Sequence, residues 1–141
     1  MRFMIIVKGN EDYEGGAMPT EEQLNAMGKY NEEMVKAGVM VAGEGLHPSS
    51  KGARVTFPAG KVSITDGPFS EAKELIGGFS IIKVDSREEA YDWLRRWPGA
   101  EGDELELRQI FEAEDFGDAF TPEARATEER LREEVAAQHA Q

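Results

Sequence analysis

Residues 77–98, GGFSIIKVDSREEAYDWLRRWP, set a strand before a helix and decide how the rest of the chain is read. Phe79-Ser80-Ile81-Ile82-Lys83-Val84 is a mostly apolar run of strand length, introduced by Gly77-Gly78. Ser86-Arg87-Glu88-Glu89 fits a capping box, in which hydroxyl and carboxylate satisfy the unpaired N–H groups of a helix start. Ala90, Trp93, Leu94 and Trp97 then recur at i, i+3, i+4 and i+7, one face of a helix. Both tryptophans are expected in the core. Pro98 ends the element.

Working outward, residues 2–8 (RFMIIVK) are apolar at nearly every position and predict a strand buried on both faces. Residues 9–19 are polar, contain Gly15-Gly16, and read as a loop. Thr20-Glu21-Glu22-Gln23 is a second capping box. Leu24, Met27, Tyr30, Met34 and Ala37 follow at helical spacing, and Gly38 supplies a left-handed C-cap. Residues 39–42 resume as a strand, and residues 43–52 (GEGLHPSSKG) form a loop punctuated by glycine and proline. Residues 53–57 and 61–65 alternate around Pro58-Ala59-Gly60, which predicts a hairpin with one polar face. Residues 66–69 (DGPF) break that strand, and residues 70–76 fit either a helical turn or an irregular crossing. Residues 104–111 form the last strand.

With the hairpin set aside, the order is βαββαβ, the split βαβ pattern of ferredoxin-like α+β folds. Such a sheet carries both helices on one face. Here the strands are apolar on both: Phe3 and Ile5 against Met4 and Ile6, Phe79 and Ile81 against Ile82 and Val84. At about 25 cal/mol per Å², leaving these side chains in water costs many kcal/mol. A second copy of the same sheet is the simplest cover, so the expected assembly is a homodimer with the sheets face to face, a dimeric α+β barrel.

Composition narrows the function classes. The chain has 141 residues, enough for one domain and little more. Sixteen Lys and Arg against 28 Asp and Glu give a net charge of −12, which repels phosphate backbones, so no nucleic-acid partner is expected. Cysteine is absent, excluding disulfide and thiolate chemistry; with two histidines, no metal site is expected. No run approaches the roughly 18 apolar residues of a membrane span, and a cytoplasmic address is the default. Residues 113–141 hold eight acids and three bases, and Thr121-Pro122-Glu123 starts a helix with few apolar positions. The expected division is an α+β domain over residues 1–112 and an acidic helical C-terminal extension over 113–141, anchored by Phe116 and Phe120.

Asp66-Gly67-Pro68-Phe69 resembles the signature of the DGPF-domain branch of the YCII-related family. Gly43-Glu44-Gly45-Leu46 with Pro48, and the whole run DGPFSEAKELIGGFSII over residues 66–82, extend the resemblance, as do Glu114-Asp115-Phe116-Gly117 and Thr121-Pro122-Glu123. The resemblance implies a ferredoxin-like protomer in a dimeric α+β barrel. It also implies an extracytoplasmic-function sigma factor as a partner, since many members are encoded beside one or fused to one. The wider family is credited with a His and an Asp, the His on the first helix. No His lies between Thr20 and Ala37 here, so that pair does not carry over.

The domain's one histidine is His47, in the loop after the second strand. Histidine is the side-chain type that titrates near neutrality, and Asp66 could orient and polarise it. The commoner roles are a solvated loop His and an Asp that caps its turn. Two readings stay open. In one, a small-molecule enzyme without a cofactor works in a cleft between sheet and helices, with His47 and Asp66 as the proton-transfer pair. Its substrate-contacting residues would be Glu44, Gly67, Pro68, Phe69, Glu71, Lys73 and Gly78, Lys73 acting as an anion contact or a surface ion pair. In the other, a non-catalytic ligand-binding or regulatory module docks a basic partner such as a sigma factor through its acidic surface.

Overall fold

The computed structural model describes residues 1–140, apart from the side chain of Lys73. In chain order the elements are β1 (Arg2–Lys8), α1 (Glu11–Glu14), α2 (Glu21–Lys36), β2 (Met40–Gly45), β3 (Ala53–Thr56), β4 (Ser63–Asp66), β5 (Ile76–Lys83), α3 (Arg87–Arg95), β6 (Leu105–Gln109) and α4 (Pro122–His139). Short 3-10 turns occupy Ser49–Lys51, Ala72–Glu74 and Ala113–Ala119. Residues 1–110 and 111–141 form two separate compact units.

In the first unit, β1, β2, β5 and β6 make one antiparallel sheet in the order β2-β5-β1-β6. With α2 and α3 as the crossovers, this is the ferredoxin-like α+β topology expected from the element order. Strand pairing sorts the side chains, because directly opposed residues share a face. Phe3 opposes Ile82, and Ile5 opposes Ser80 and Leu107, on the face that α2 and α3 cover. That face forms the core with Tyr30, Met34, Ala90 and Trp93. Met4 opposes Ile81, and Ile6 opposes Phe79, on the other face, where all four are half-buried. That second face is therefore apolar at its centre and charged on the outer strands, where Glu44, Glu106 and Arg108 lie, while both α2 and α3 lie on the first.

The caps act as the sequence indicates, with one change. At α2, Gln23 N–H donates to Thr20 Oγ1 (3.1 Å) and Thr20 N–H donates to Gln23 Oε1 (2.8 Å). Gly38, at φ 72°, ends the helix in the left-handed region. At α3, Glu89 N–H donates to Ser86 Oγ (3.1 Å), but the Glu89 carboxylate accepts from Asp85 N–H (3.0 Å), one residue before the cap. The buried seam of α2 runs along Met27, Tyr30 and Met34. Leu24 lies about 100° round the helix from Gln23 and stays exposed, against expectation. Trp93 is buried in the core, whereas Trp97 falls beyond the end of α3 and is only partly buried.

Three further differences concern loops. Residues 9–19 contain α1, started by Asn10, whose Oδ1 accepts from Tyr13 N–H (2.8 Å). β2 runs on through Glu44 and Gly45, because Gly43, Glu44 and Gly45 all pair with β5. The ambiguous residues 70–76 hold a 3-10 turn. β3 and β4 form the expected hairpin as a separate two-stranded ladder, with Val55 opposite Ile64 and both exposed.

The second unit consists of the turn Ala113–Ala119 and α4. Phe116 sits between Phe111 and Phe120, with ring centroids 5.0 and 5.4 Å away. Thr121 caps α4, and Arg130–Glu134 and Arg132–Glu128 pair along it at 2.9 Å. No residue of α4 is buried, and no described helix is long and apolar enough to cross a membrane.

Candidate functional site: a glycine-floored cleft

Side-chain size along β2 and β5 leaves a space between sheet and helix. On the helix-facing side, Gly43 opposes Ser80 and Gly45 opposes Gly78. Three of these four positions lack a side chain and the fourth carries a small one. At the other end of the same face, Met40 opposes Ile82 and the core is filled. The result is a cleft of about 820 Å³ over the glycine end, lined by α2, β2, β5 and residues 97–103.

Each glycine of the floor has its own geometry. A Cβ on Gly78 would lie 2.9 Å from the Glu44 carbonyl oxygen, so close packing of β2 on β5 requires glycine there. A Cβ on Gly43 would meet Ser80 Oγ at 3.3 Å. A Cβ on Gly45 would meet no atom within 4 Å, so that position opens on empty space. Gly77 is the extra residue of a β-bulge opposite Val7 and Lys8, and the Tyr13 ring packs on it.

The walls are apolar, from Val7, Met27 and Trp97, with a few polar groups among them. Ser80 is only 7% exposed and is the one buried polar residue among those described. Its hydroxyl has no hydrogen-bond partner among the described residues, and it lines the cleft. No described side-chain N or O atom is sealed from solvent without a partner, so this hydroxyl opens on the cleft space. Gln23 Oε1 is engaged by Thr20 N–H, which leaves its amide N–H groups for a ligand. Asp103 Oδ2 accepts from Ala100 N–H at 2.7 Å, leaving Oδ1 free of that bond. Asn31 and Glu22 complete the polar lining from α2.

Beside the cleft, Tyr30 fastens α2 to α3. Its hydroxyl donates to the Trp93 carbonyl at 2.7 Å, and its ring meets Trp93 and Trp97 edge-on. Burial pushes its pKa up to about 12, against the nearby Arg96 guanidinium.

The DGPF loop is a second constellation, fastened to the Ser49–Lys51 turn. Gly67 N–H donates to the Gly52 carbonyl (2.9 Å), and Phe69 N–H donates to Ser49 Oγ (3.0 Å). A Cβ on Gly67 would lie 1.8 Å from the Ser49 carbonyl oxygen, so only glycine fits; the Gly67–Pro68 peptide is cis. Ser49 in turn is gripped by Glu14, whose carboxylate accepts from both its N–H (2.9 Å) and its hydroxyl. The Arg54 guanidinium lies 3.9 Å over the Phe69 ring. Tyr13 O–H donates to the Gly77 carbonyl at 3.1 Å, and its pKa is raised, first by burial and then by Glu14.

Glu14 and Tyr13 were outside the sequence expectation. Asn10-Glu11-Asp12 carries the signal of a helix start that would have found α1.

The expected site residues scatter. Gly78 is part of the cleft floor. Glu44 borders it, but pairing with Phe79 puts its side chain on the opposite face of the sheet. Gly67, Pro68 and Phe69 lie in the fastened loop, and Glu71 is exposed just before the Ala72–Glu74 turn. The Lys73 side chain lies outside the described residues. His47 and Asp66 are both exposed, and neither lines the cleft. Among the described residues no hydrogen bond joins the two, and the Asp66 carboxylate caps no turn; its backbone pairs with Ala53. Among the described residues no group of three His, Cys, Asp or Glu side chains could share a metal ion.

Fold and cleft together define a ferredoxin-like α+β domain with a ligand-sized space between sheet and helix. Residues 1–114 match the model of the YCII-related domain, and the chain belongs to that family. It is similar to an uncharacterized protein, R00369, of Rhizobium meliloti (strain 1021), with 32% identity over 75 residues, 53% of this chain. The match spans 60% of that relative's length. Among solved structures it is similar to 5-chloro-2-hydroxyhydroquinone dehydrochlorinase (TftG) from Burkholderia phenoliruptrix AC1100, a complex with 2,5-dihydroxybenzoquinone. That likeness has 14% identity and a TM-score of 0.40, covering 82% of this chain and 98% of the other.

Proposed function

We propose that this protein is a small-molecule enzyme whose substrate lies in the cleft, over the glycine floor and against Ser80. The observation that carries this reading is the Ser80 hydroxyl, on a residue only 7% exposed, facing the cleft without a partner among the described residues. A ligand that covered this hydroxyl without bonding it would forfeit roughly 1–3 kcal/mol, so the floor favours a donor or acceptor at that point. The volume of about 820 Å³ suits a small organic molecule, within the roughly 300–1,000 Å³ of ligand pockets. Thermal-shift screening of small aromatic and aliphatic compounds tests it. Hits whose shift is lost in Ser80→Ala and Gly45→Leu support the reading; hits indifferent to both variants refute it.

One observation favours proton transfer at the rim as the chemistry. His47 follows the floor residue Gly45 by two positions, and the loop carrying Asp66 is fastened to the turn that follows His47 through Ser49 and Gly52. In this reading the His47 imidazole takes a proton from carbon next to a carbonyl, and the C–H electron pair passes into the enolate. Asp66, which makes no hydrogen bond to His47 among the described residues, would orient the imidazole only once substrate is bound. Turnover of a cleft ligand that is unchanged in His47→Ala removes it.

The half-buried Met4, Ile6, Phe79 and Ile81 support a second copy of the chain as the cover of the open sheet face. Sedimentation equilibrium that finds only monomer at micromolar concentration counts against the homodimer. The acidic surface of α4 supports docking of a basic partner such as a sigma factor, and co-purification at moderate salt tests that role.

A further inference from the structure

We infer that the cleft selects its ligand by charge, admitting a small amine with an apolar body and rejecting carboxylates; this rests on the cleft being a binding site. Every charged residue lining it is acidic: Glu22, Glu44 and Asp103. No described Lys or Arg lines it. Register turns the Glu44 side chain to the other face of the sheet, which leaves Glu22 and Asp103 as the charges at the cleft.

The nearby cations are engaged elsewhere. Arg96 stacks on the Trp93 ring at 3.9 Å and faces Glu33 at 3.7 Å. Lys8 pairs with Glu106 at 4.0 Å, and Glu106 opposes Ile6 on the open face of the sheet.

An ammonium group therefore finds acceptors suited to it: the Glu22 carboxylate, the Asp103 oxygen not used by Ala100, and the Ser80 oxygen. Trp97 also lines the cleft and adds apolar surface for the ligand's body. A carboxylate would enter against two like charges with no cation to meet it, in a protein of net charge −12. A neutral alcohol can bond Ser80 or donate one hydrogen bond to a carboxylate, but it forms no ion pair with the acids.

A matched trio of 2-naphthylethylamine, 2-naphthylethanol and naphthylacetate, titrated calorimetrically into the full chain at low salt, tests the inference. The amine is expected to bind about tenfold tighter than the alcohol, with the carboxylate weakest, as two partly solvated carboxylates would give. Glu22→Gln with Asp103→Asn should level the order, since the amide oxygen left by the second substitution can still accept from Ala100 N–H, and added salt should compress it. Gly45→Leu should abolish binding of all three.

If the carboxylate binds as tightly as the amine and Gly45→Leu still blocks both, the cleft stands and the charge selection falls. If the amine's preference survives the double variant, these acids are not its source and the inference is overturned. If none of the trio binds the wild-type chain, the inference is overturned, while the cleft as a binding site is judged by the thermal-shift screen.

Discussion

Replacing Gly45 by leucine separates an open cleft from a merely loose stretch of core. Gly45 is the last residue of β2, and a Cβ there would have no atom within 4 Å. The new side chain would extend over the floor toward Val7, Met27 and Trp97. Removing glycine from a strand recovers about 0.5–1 kcal/mol of backbone entropy. Each methylene that the leucine buries adds up to about 0.8 kcal/mol. The variant should therefore be as stable as the wild type or more so, with a melting temperature unchanged or raised by about 2–6 °C. Ligand affinity should fall by about 100-fold or more, because the leucine takes the space beside Ser80. Differential scanning calorimetry and ligand titration on the same samples read both quantities. A melting temperature several degrees lower, with ligand binding intact, would refute the reasoning, since it would mean that the position is packed and the binding site lies elsewhere.

Other substitutions probe the supporting parts. Gly67→Ala puts a methyl group where the Ser49 carbonyl oxygen stands, 1.8 Å from the ideal Cβ, and should cost more than about 2 kcal/mol in denaturant unfolding; an unchanged midpoint would show that the two loops do not press together. Glu14→Ala removes a carboxylate that accepts two hydrogen bonds from Ser49, each worth roughly 1.5–3 kcal/mol when charge-assisted. Hydrogen exchange should then quicken at Phe69 N–H and Gly67 N–H, while the amides of β1 and β5 keep their protection. Tyr30 is held neutral by burial in the folded protein, with its pKa up to about 12 against 10.0 for the ordinary side chain. Above pH 10 the unfolded chain loses this proton first, so the stabilisation is full below pH 10 and lost as pH rises through about 12. Tyr30→Phe removes one of two hydrogen bonds to the Trp93 carbonyl, which keeps the one from Arg96 N–H. Stability at neutral pH should therefore fall by only about 0.5–1.5 kcal/mol, and the alkaline loss measured by urea titration should flatten.

Local chemistry wrote much of this fold into the sequence. The hydroxyl and amide of Thr20 and Gln23, the Ser86 cap, and Gly38 mark helix ends because the groups they satisfy lie within four residues. Apolar runs in β1 and β5 announce a sheet that is greasy on both faces, because a strand's side chains alternate whatever lies beyond it. From these the βαββαβ order, and with it the sheet topology, could be reasoned before any coordinates. The cleft could not. Gly43 and Gly45 lie more than thirty residues from Gly78 and Ser80, and only the β2–β5 register sets the four side by side beneath α2. The grip of Glu14 on Ser49 likewise joins groups 35 residues apart. Register also turned Glu44 away from the space it borders. His47 and Asp66, from separate segments, share no hydrogen bond among the described residues. Caps and periodicity are short-range effects that a chain carries at every point along it. A pocket is a gap among distant residues, and its shape exists only once packing has brought them together.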